Sequence, residues 1–189
     1  MLKKVIHNAH DLIQEAVQEG DTVIDATCGN GHDTLFLSNL VGETGKVLAF
    51  DIQEQALTNT AERLQVAKWI NTTLIQDSHA NMDHYLSNDL KGKVGAAIFN
   101  LGYLPKGDKA IITKGNTTIK AIQTLLEYLK INGLINIVIY YGHEGGQEEK
   151  DAVLEFVKNL DQKRFSVLRY EFINQQNNPP FLIAIQKRQ

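Results

Sequence analysis

The sequence predicts a doubly wound α/β fold: a mostly parallel seven-stranded sheet with helices on both faces and an antiparallel hairpin at its C-terminal end. Three observations carry that expectation. Short apolar runs alternate with helical patterns along most of the chain, polar or glycine-rich clusters stand directly after the runs, and the last two runs are separated only by turn-forming residues. With 189 residues, 43% of them hydrophobic and 22% charged, the chain has the size and composition of one globular domain. That domain is expected to span 1–189, without an internal repeat, linker or low-complexity tract.

In chain order, Val5, Ile6, Ala9, Leu12, Ile13, Ala16 and Val17 recur at helical spacing, and Gly20 is the expected C-cap. Buried parallel strands are predicted at 22–25, 47–50, 73–75, 96–99 and 134–139. The intervening helices should turn inward Leu35 and Leu37, then Ala56, Leu57, Ala61 and Leu64, then Ile119, Ile122, Leu126 and Leu129, and finally Val153, Phe156, Val157 and Leu160. Residues 165–173 and 181–186 read as two more strands. The connection between them, Asn174-Gln175-Gln176-Asn177-Asn178-Pro179-Pro180, is too short for a crossover helix, so they should pair antiparallel. A parallel sheet closed by one antiparallel hairpin is the architecture of the Rossmann-like class I methyltransferases, and that fold is expected by analogy.

A formal charge of -3 and a pI of about 6.1 exclude a general basic surface for gripping long nucleic acid, while leaving room for a local basic patch. The single cysteine, Cys28, rules out an internal disulfide and a paired-cysteine zinc site, in keeping with a reducing compartment. The N-terminus soon turns polar, and no run of roughly 18 apolar residues occurs. A cytoplasmic protein with no membrane segment is expected.

In an open parallel sheet, ligands lie beyond the carboxyl ends of the strands, and the first strand runs straight into Asp25-Ala26-Thr27-Cys28-Gly29-Asn30-Gly31-His32-Asp33-Thr34. Gly29 and Gly31 let backbone approach a ligand, and the amides opening the next helix offer a positive end to a carboxylate. The candidate cofactor contacts in this loop are Asp25, Thr27, Gly29, Asn30, Gly31 and Asp33, with Asp25 orienting the loop or a ligand amine. Asp51 ends the second strand about 20 residues on, where an acid accepts ribose hydroxyls, and Ile52 and Gln53 would flank an adenine. Asp77, Ser78 and His79 end the third strand and could reach the adenine amino group or close the pocket. A plain strand-to-helix turn with solvated strand ends is the bland alternative. A pyrophosphate loop wants a further glycine at position 34, where this chain has Thr. S-adenosylmethionine is therefore the expected cofactor, with a nicotinamide-dependent oxidoreductase as the rival reading.

The fourth strand leads into Asn100-Leu101-Gly102-Tyr103-Leu104-Pro105-Lys106. Amino-group methyltransferases commonly carry Asn, Asp or Ser, two prolines and an aromatic here; Asn100 and Tyr103 keep the two ends, while Leu101 and Gly102 replace the prolines. Asn100 can accept a hydrogen bond from an amine and aim its lone pair, and Tyr103 can stack on an extruded base. A capping Asn and a packing Tyr are the structural alternative. After the fifth strand, His143 in Tyr140-Tyr141-Gly142-His143-Glu144-Gly145-Gly146 can take a proton from an ammonium target or merely cap a helix. Lys106, Lys109, Lys114 and Lys120 form a basic stretch for local phosphates, or a solvated face. The candidate substrate contacts are Tyr103, Pro105, Lys106, Lys114, Tyr141 and His143. A second Asn-Pro-Pro-Phe run, Asn178 to Phe181, reads as the hairpin connection, with a lining role on the substrate side as the alternative. Cys28 lies inside the cofactor loop, the wrong place to attack a base, and is assigned no role. The histidines show no metal-site spacing with cysteines or acids, so no metal is expected.

With these motifs assembled, the chain resembles, over nearly its whole length, a family labelled ribosomal RNA methylases and associated with the bacterial tRNA 5-aminomethyl-2-thiouridine methyltransferase. The resemblance rests on residues 26–34 and 100–105, on Thr117-Thr118, and on residues 141–146 and 174–180. It implies methylation of the exocyclic amine of 5-aminomethyl-(2-thio)uridine at the tRNA wobble position, with an anticodon loop as partner. A homodimer is also expected, since a small sheet protein handling RNA gains surface that way. A methyltransferase acting on ribosomal RNA or a small amine, and a non-catalytic RNA-binding protein on the same scaffold, stay open as alternatives.

Overall fold

The computed structural model describes residues 1–102 and 113–189. Helix α1 (Val5–Ala16) buries Val5, Ala9 and Ile13, one residue per turn along a single face. The chain leaves the helix at Val17, whose backbone is extended, so Gly20 is not the cap expected for it. With φ of 89° Gly20 instead turns the chain into strand β1 (Thr22–Asp25), and its N–H donates to Val41 O at 2.8 Å.

Four strand–helix alternations follow: α2 (His32–Val41), β2 (Lys46–Asp51), α3 (Glu54–Ala67), β3 (Thr72–Gln76), β4 (Val94–Leu101), α4 (Gly115–Tyr128), β5 (Leu129–Ile139) and α5 (Gly146–Lys158). The hairpin strands β6 (Phe165–Tyr170) and β7 (Phe181–Lys187) end the chain. The sheet runs β3-β2-β1-β4-β5-β7-β6, with β1 to β5 parallel and β7 antiparallel to both β5 and β6. The chain therefore winds outward from β1 to β3, returns to the other side of β1 at β4, and leaves a switch point between β1 and β4.

Successive strand residues face opposite layers. Ile24, Phe50, Phe99 and Ile137 pack toward α4 and α5, whereas Val23, Val47 and Ile98 pack under Ile13 of α1 and Leu37 and Val41 of α2. Several helix faces differ from the periodic expectation. In α3, Thr60 is buried and Ala61 exposed, because the Thr60 hydroxyl donates to Gly29 O at 3.2 Å and draws that side of the helix against the loop. Leu35 is half-buried, its place in the core taken by Val41. Leu129 opens β5 rather than ending α4: the backbone turns extended there, Leu129 pairs with Val94, and the ladder resumes only at Leu134 with Ala96. Strand β6 stops at Tyr170, leaving Ile173 exposed. Two short 3-10 helices, His79–His84 and Asn88–Leu90, fill the β3–β4 connection, the first capped by Ser78, whose Oγ accepts from Ala80 N–H. No described helix is long and apolar enough to cross a membrane.

Helix α1 is fastened to the antiparallel half of the sheet. Val5 and Ala9 lie on Val138 and Leu182, and the buried Asn136 amide donates to Ala9 O at 2.7 Å. Replacing Leu182 by Ala should cost about 2–5 kcal/mol through the cavity it opens, and should loosen α1. Urea unfolding together with proteolysis of the N-terminal helix measures both; a wild-type midpoint would show that α1 is held elsewhere.

Candidate active site

The loop after β1 is hydrogen-bonded to both neighbouring strands. Ala26 N–H donates to Ile98 O at 2.9 Å and Thr27 Oγ1 accepts from Asn100 N–H at 2.7 Å, tying the loop to β4. On the other side Cys28 N–H donates to Phe50 O at 2.8 Å, and Gly29 N–H to the Asp51 carboxylate at 3.0 Å, tying it to β2. Gly29 and Gly31 have φ of 51° and 76°, and a Cβ at Gly31 would stand 2.8 Å from Thr60 Cα, so the turn needs glycine there on two counts. Asn30 is held from α3, its carbonyl accepting from Arg63 Nε at 2.8 Å and its Oδ1 from Asn59 Nδ2 at 2.9 Å.

Asp25 is fully buried and is bonded within the loop. It accepts from Thr27 N–H at 3.2 Å and from Thr34 Oγ1 at 2.6 Å. Burial, with the charge of Asp33 adding to it, pushes its carboxyl up to about 7. Thr34, which stands where a dinucleotide loop would carry its third glycine, is committed to that bond. Cys28 is buried too, and burial raises its thiol, so it is no nucleophile at neutral pH.

At the end of β2, Asp51 accepts one N–H on each oxygen, from Gly29 and from Gln53, both at 3.0 Å. A carboxylate has capacity for about four such bonds, which leaves acceptor sites for two ribose hydroxyls. Burial raises its pKa, opposed by those backbone bonds. Ile52 beside it is 50% exposed, an apolar surface on which an adenine ring could lie. At the end of β3, Asp77 is held below the usual carboxylate range by the Asn81 amide at 2.9 Å, with Tyr85 OH also donating at 2.9 Å. Ser78 is occupied as the 3-10 helix cap, and His79 lies beneath the pocket. His79 Nδ1 donates to Ala26 O at 3.1 Å, and burial lowers its pKa, so the neutral ring braces the loop from below.

Asn100 stands on the opposite side of the switch point. Its Nδ2 donates to Asp33 Oδ2 at 2.5 Å, and His10 Nε2 of α1 reaches Asp33 Oδ1 at 2.6 Å. The carboxylate of Asp33 thus points at Asn100 and His10. Tyr140 is 43% exposed, with its Cβ 3.5 Å from where a Gly102 Cβ would be, and burial, with the charge of Asp33 adding to it, raises its phenol. Tyr141, one of the six candidate substrate contacts, is half-buried, edge-on to Phe181 and under the Lys150 ammonium. His143 Nδ1 donates to Glu144 O at 2.9 Å, and its Nε2 lies 3.7 Å from where a Gly102 Cβ would be.

Glu149 of α5 is a buried acid that no sequence pattern singled out. It accepts from Thr113 Oγ1 at 2.6 Å and Thr118 Oγ1 at 2.9 Å, and burial raises its pKa. Thr113 also pairs with Gly102: Thr113 N–H donates to Gly102 O at 3.1 Å, and Gly102 N–H to Thr113 Oγ1 at 3.0 Å. Tyr103, Pro105, Lys106 and Lys109 lie outside the described residues, while Lys114 and Lys120 are exposed on α4 and its cap. The Asn178 side chain approaches Gly142, 3.6 Å from where its Cβ would be, so the hairpin connection borders the same end of the sheet.

A glycine turn opening a helix, an acid with spare acceptors at the end of β2 and a second acid at the end of β3 are the donor set that an adenosine cofactor with an amino-acid tail requires. Fold and site together define a class I S-adenosylmethionine-dependent methyltransferase. The family model described as "Putative rRNA methylase" matches residues 47–186. A protein of Arabidopsis thaliana named tRNA (mnm(5)s(2)U34)-methyltransferase, chloroplastic, is 37% identical over 99% of this chain and 70% of its own length. A crystal structure from Clostridium thermocellum is 51% identical, covers 99% of both chains and superposes with a TM-score of 0.95. One from Streptococcus mutans, in complex with S-adenosylhomocysteine, is 46% identical over 99% of both chains, with a TM-score of 0.89. The chain belongs to the rRNA methylase family and is a methyltransferase that uses S-adenosylmethionine.

The raised pKa of Asp25 predicts a pH effect. Because its folded value of about 7 exceeds its ordinary value of 3.8, its contribution to stability is complete below about pH 4 and is lost as pH rises through 7. Asp25→Asn removes the charge and should flatten the pH dependence of unfolding free energy across that window by up to a few kcal/mol. Denaturant melts at pH 4.5, 6 and 7.5 check it, and parallel wild-type and variant curves would contradict it.

Proposed function

We propose that the protein methylates the exocyclic amine of 5-aminomethyl-(2-thio)uridine at the tRNA wobble position, giving the 5-methylaminomethyl form. The observation that carries this reading is the fixed Asn100 amide at the end of β4. Its nitrogen is given to Asp33, so its carbonyl oxygen is the end left for a substrate N–H. The name of the Arabidopsis relative supports the tRNA wobble substrate.

S-adenosylmethionine, when bound, supplies a methyl group on a positively charged sulfur. The residues of the chain then have three tasks. Asn100 Oδ1 accepts one amine N–H and so turns the nitrogen lone pair toward the cofactor side of the cleft, a positioning effect worth several kcal/mol in favourable cases. His143 takes the proton that an ammonium must lose before it has a lone pair to use. Tyr140, with Tyr103 from the adjoining segment, offers an aromatic face to the extruded base. The nucleotide enters from an anticodon loop, whose unstacked bases suit a small protein of net acidic charge, with Lys106 and Lys114 anchoring phosphates. Asp25, Thr27, Gly29, Asn30, Gly31, Asp51, Ile52, Gln53 and Asp77 bind or shape the cofactor pocket, and Ser78 and His79 support it.

The test is mass spectrometry of nucleosides from tRNA of a strain lacking this protein, before and after incubation with the purified enzyme and S-adenosylmethionine. Accumulated 5-aminomethyl-2-thiouridine should gain one methyl group, and Asn100→Ala should slow that gain roughly 100-fold. A tRNA profile unchanged by the enzyme contradicts the reading and directs the search to ribosomal RNA and small amines.

A further inference from the structure

Asn100 does not stand alone at the end of β4. Its side-chain amide is the terminus of a hydrogen-bonded chain that begins on α1, outside the strand–helix alternation that builds the cofactor pocket. His10 stacks on Phe36, with ring centroids 4.0 Å apart and planes 10° from parallel, and its Nε2 lies 2.6 Å from Asp33 Oδ1. Asp33 Oδ2 accepts from Asn100 Nδ2 at 2.5 Å. Asp33 is buried in the first turn of α2, where the positive end of the helix favours an anion.

The chemistry of the three groups settles the direction of each bond. An ionised carboxylate only accepts, so His10 must present Nε2–H and Asn100 must present its NH2 end. An amide facing neutral groups could lie either way round; one facing a carboxylate has a single favourable orientation. The carbonyl oxygen of Asn100 is thereby kept on the side away from Asp33, and the backbone of the same residue is fixed by its N–H bond to Thr27 Oγ1 at 2.7 Å. Charge-assisted bonds of this kind are about twice as strong as neutral ones, enough to hold one rotamer and one flip state.

We propose that Asp33, seated by His10, is a positioning residue for methyl transfer: it locks the amide of Asn100 with its oxygen toward the target amine, and it serves turnover rather than cofactor binding. This rests on the amine-methylating reading above. It gives α1 a purpose in the reaction, since the helix docks on β5 and β7 through Val5 and Ala9 and presents His10, the residue after Ala9, to Asp33.

The test compares Asp33→Asn, nearly isosteric but neutral, with His10→Phe, which retains a ring over Phe36 but has no N–H. Methyl transfer to tRNA and calorimetric binding of S-adenosylhomocysteine are measured for both. Asp33→Asn should lower kcat at least 10-fold and His10→Phe about 3- to 10-fold, each with the S-adenosylhomocysteine Kd within about threefold of wild type. In an Asn100→Ala background, followed by long single-turnover incubations, Asp33→Asn should add less than a twofold further loss, because the residue it acts through is gone. Wild-type kcat in both variants, a loss confined to cofactor affinity, or a full additive loss in the Asn100→Ala background would each overturn the proposal. Failure of the wild-type enzyme to methylate tRNA would instead overturn the substrate reading, so the two are distinguishable.

Discussion

The structure depends on one constraint: the loop after β1 must bond to the strands on both its sides. In the interior of a parallel sheet each strand end has neighbours, but at the switch point they diverge, β2 leading to one half of the fold and β4 to the other. Here the gap is bridged by backbone. Ala26 and Thr27 bond to β4 and Cys28 and Gly29 to β2, so the four residues share their polar groups between the two halves. The turn this demands puts Gly29 and Gly31 in the left-handed region and brings α3 close enough that a side chain at 31 would strike Thr60. Cofactor pocket and catalytic strand are thus parts of one hydrogen-bonded unit, and a shift in either half is felt by the other.

That arrangement explains why so few groups suffice for the chemistry. On the amine-methylating reading proposed above, the transfer needs alignment and one proton acceptor, with no covalent enzyme intermediate. The buried acids serve geometry more than charge. Asp25 ties β1 to the first turn of α2, and Glu149 ties α5 to Thr113 and Thr118 and, through Thr113, to Gly102 at the end of β4. Both are raised by burial, which is the expected cost of using a carboxylate as an internal bracket. Asp51 differs, since its backbone partners leave acceptor capacity on both oxygens.

Much of this was legible in the sequence because it depends on period and on strand ends. The seven strands, their parallel run and the final hairpin followed from apolar runs and a connection too short for a helix; the glycine loop, Asp51 and Asn100 followed from their place after strands. What escaped were contacts between elements far apart in the chain. Nothing in the spacing of α1 announces that His10 meets Asp33, 23 residues on, and the Glu149 bracket spans a similar distance. Nor does the sequence say which of Tyr140 and Tyr141, just past the end of β5, packs on Phe181; it is Tyr141. Gly20 was taken for a helix cap because caps and inter-element turns both select glycine, and only the extended backbone at Val17 separates them. Leu129 continued the helical period of α4 while already paired in β5.

We propose that the polar ends of β1 and β2 form a single cofactor site with Asp51 as its shared acceptor. Titrating S-adenosylhomocysteine into wild-type protein and Asp51→Ala tests it most directly. A fall in affinity of roughly 100-fold or more is expected, since a half-buried acceptor of charge-assisted bonds is lost together with the anchor of Gly29. An unchanged Kd in a folded Asp51→Ala protein would contradict it.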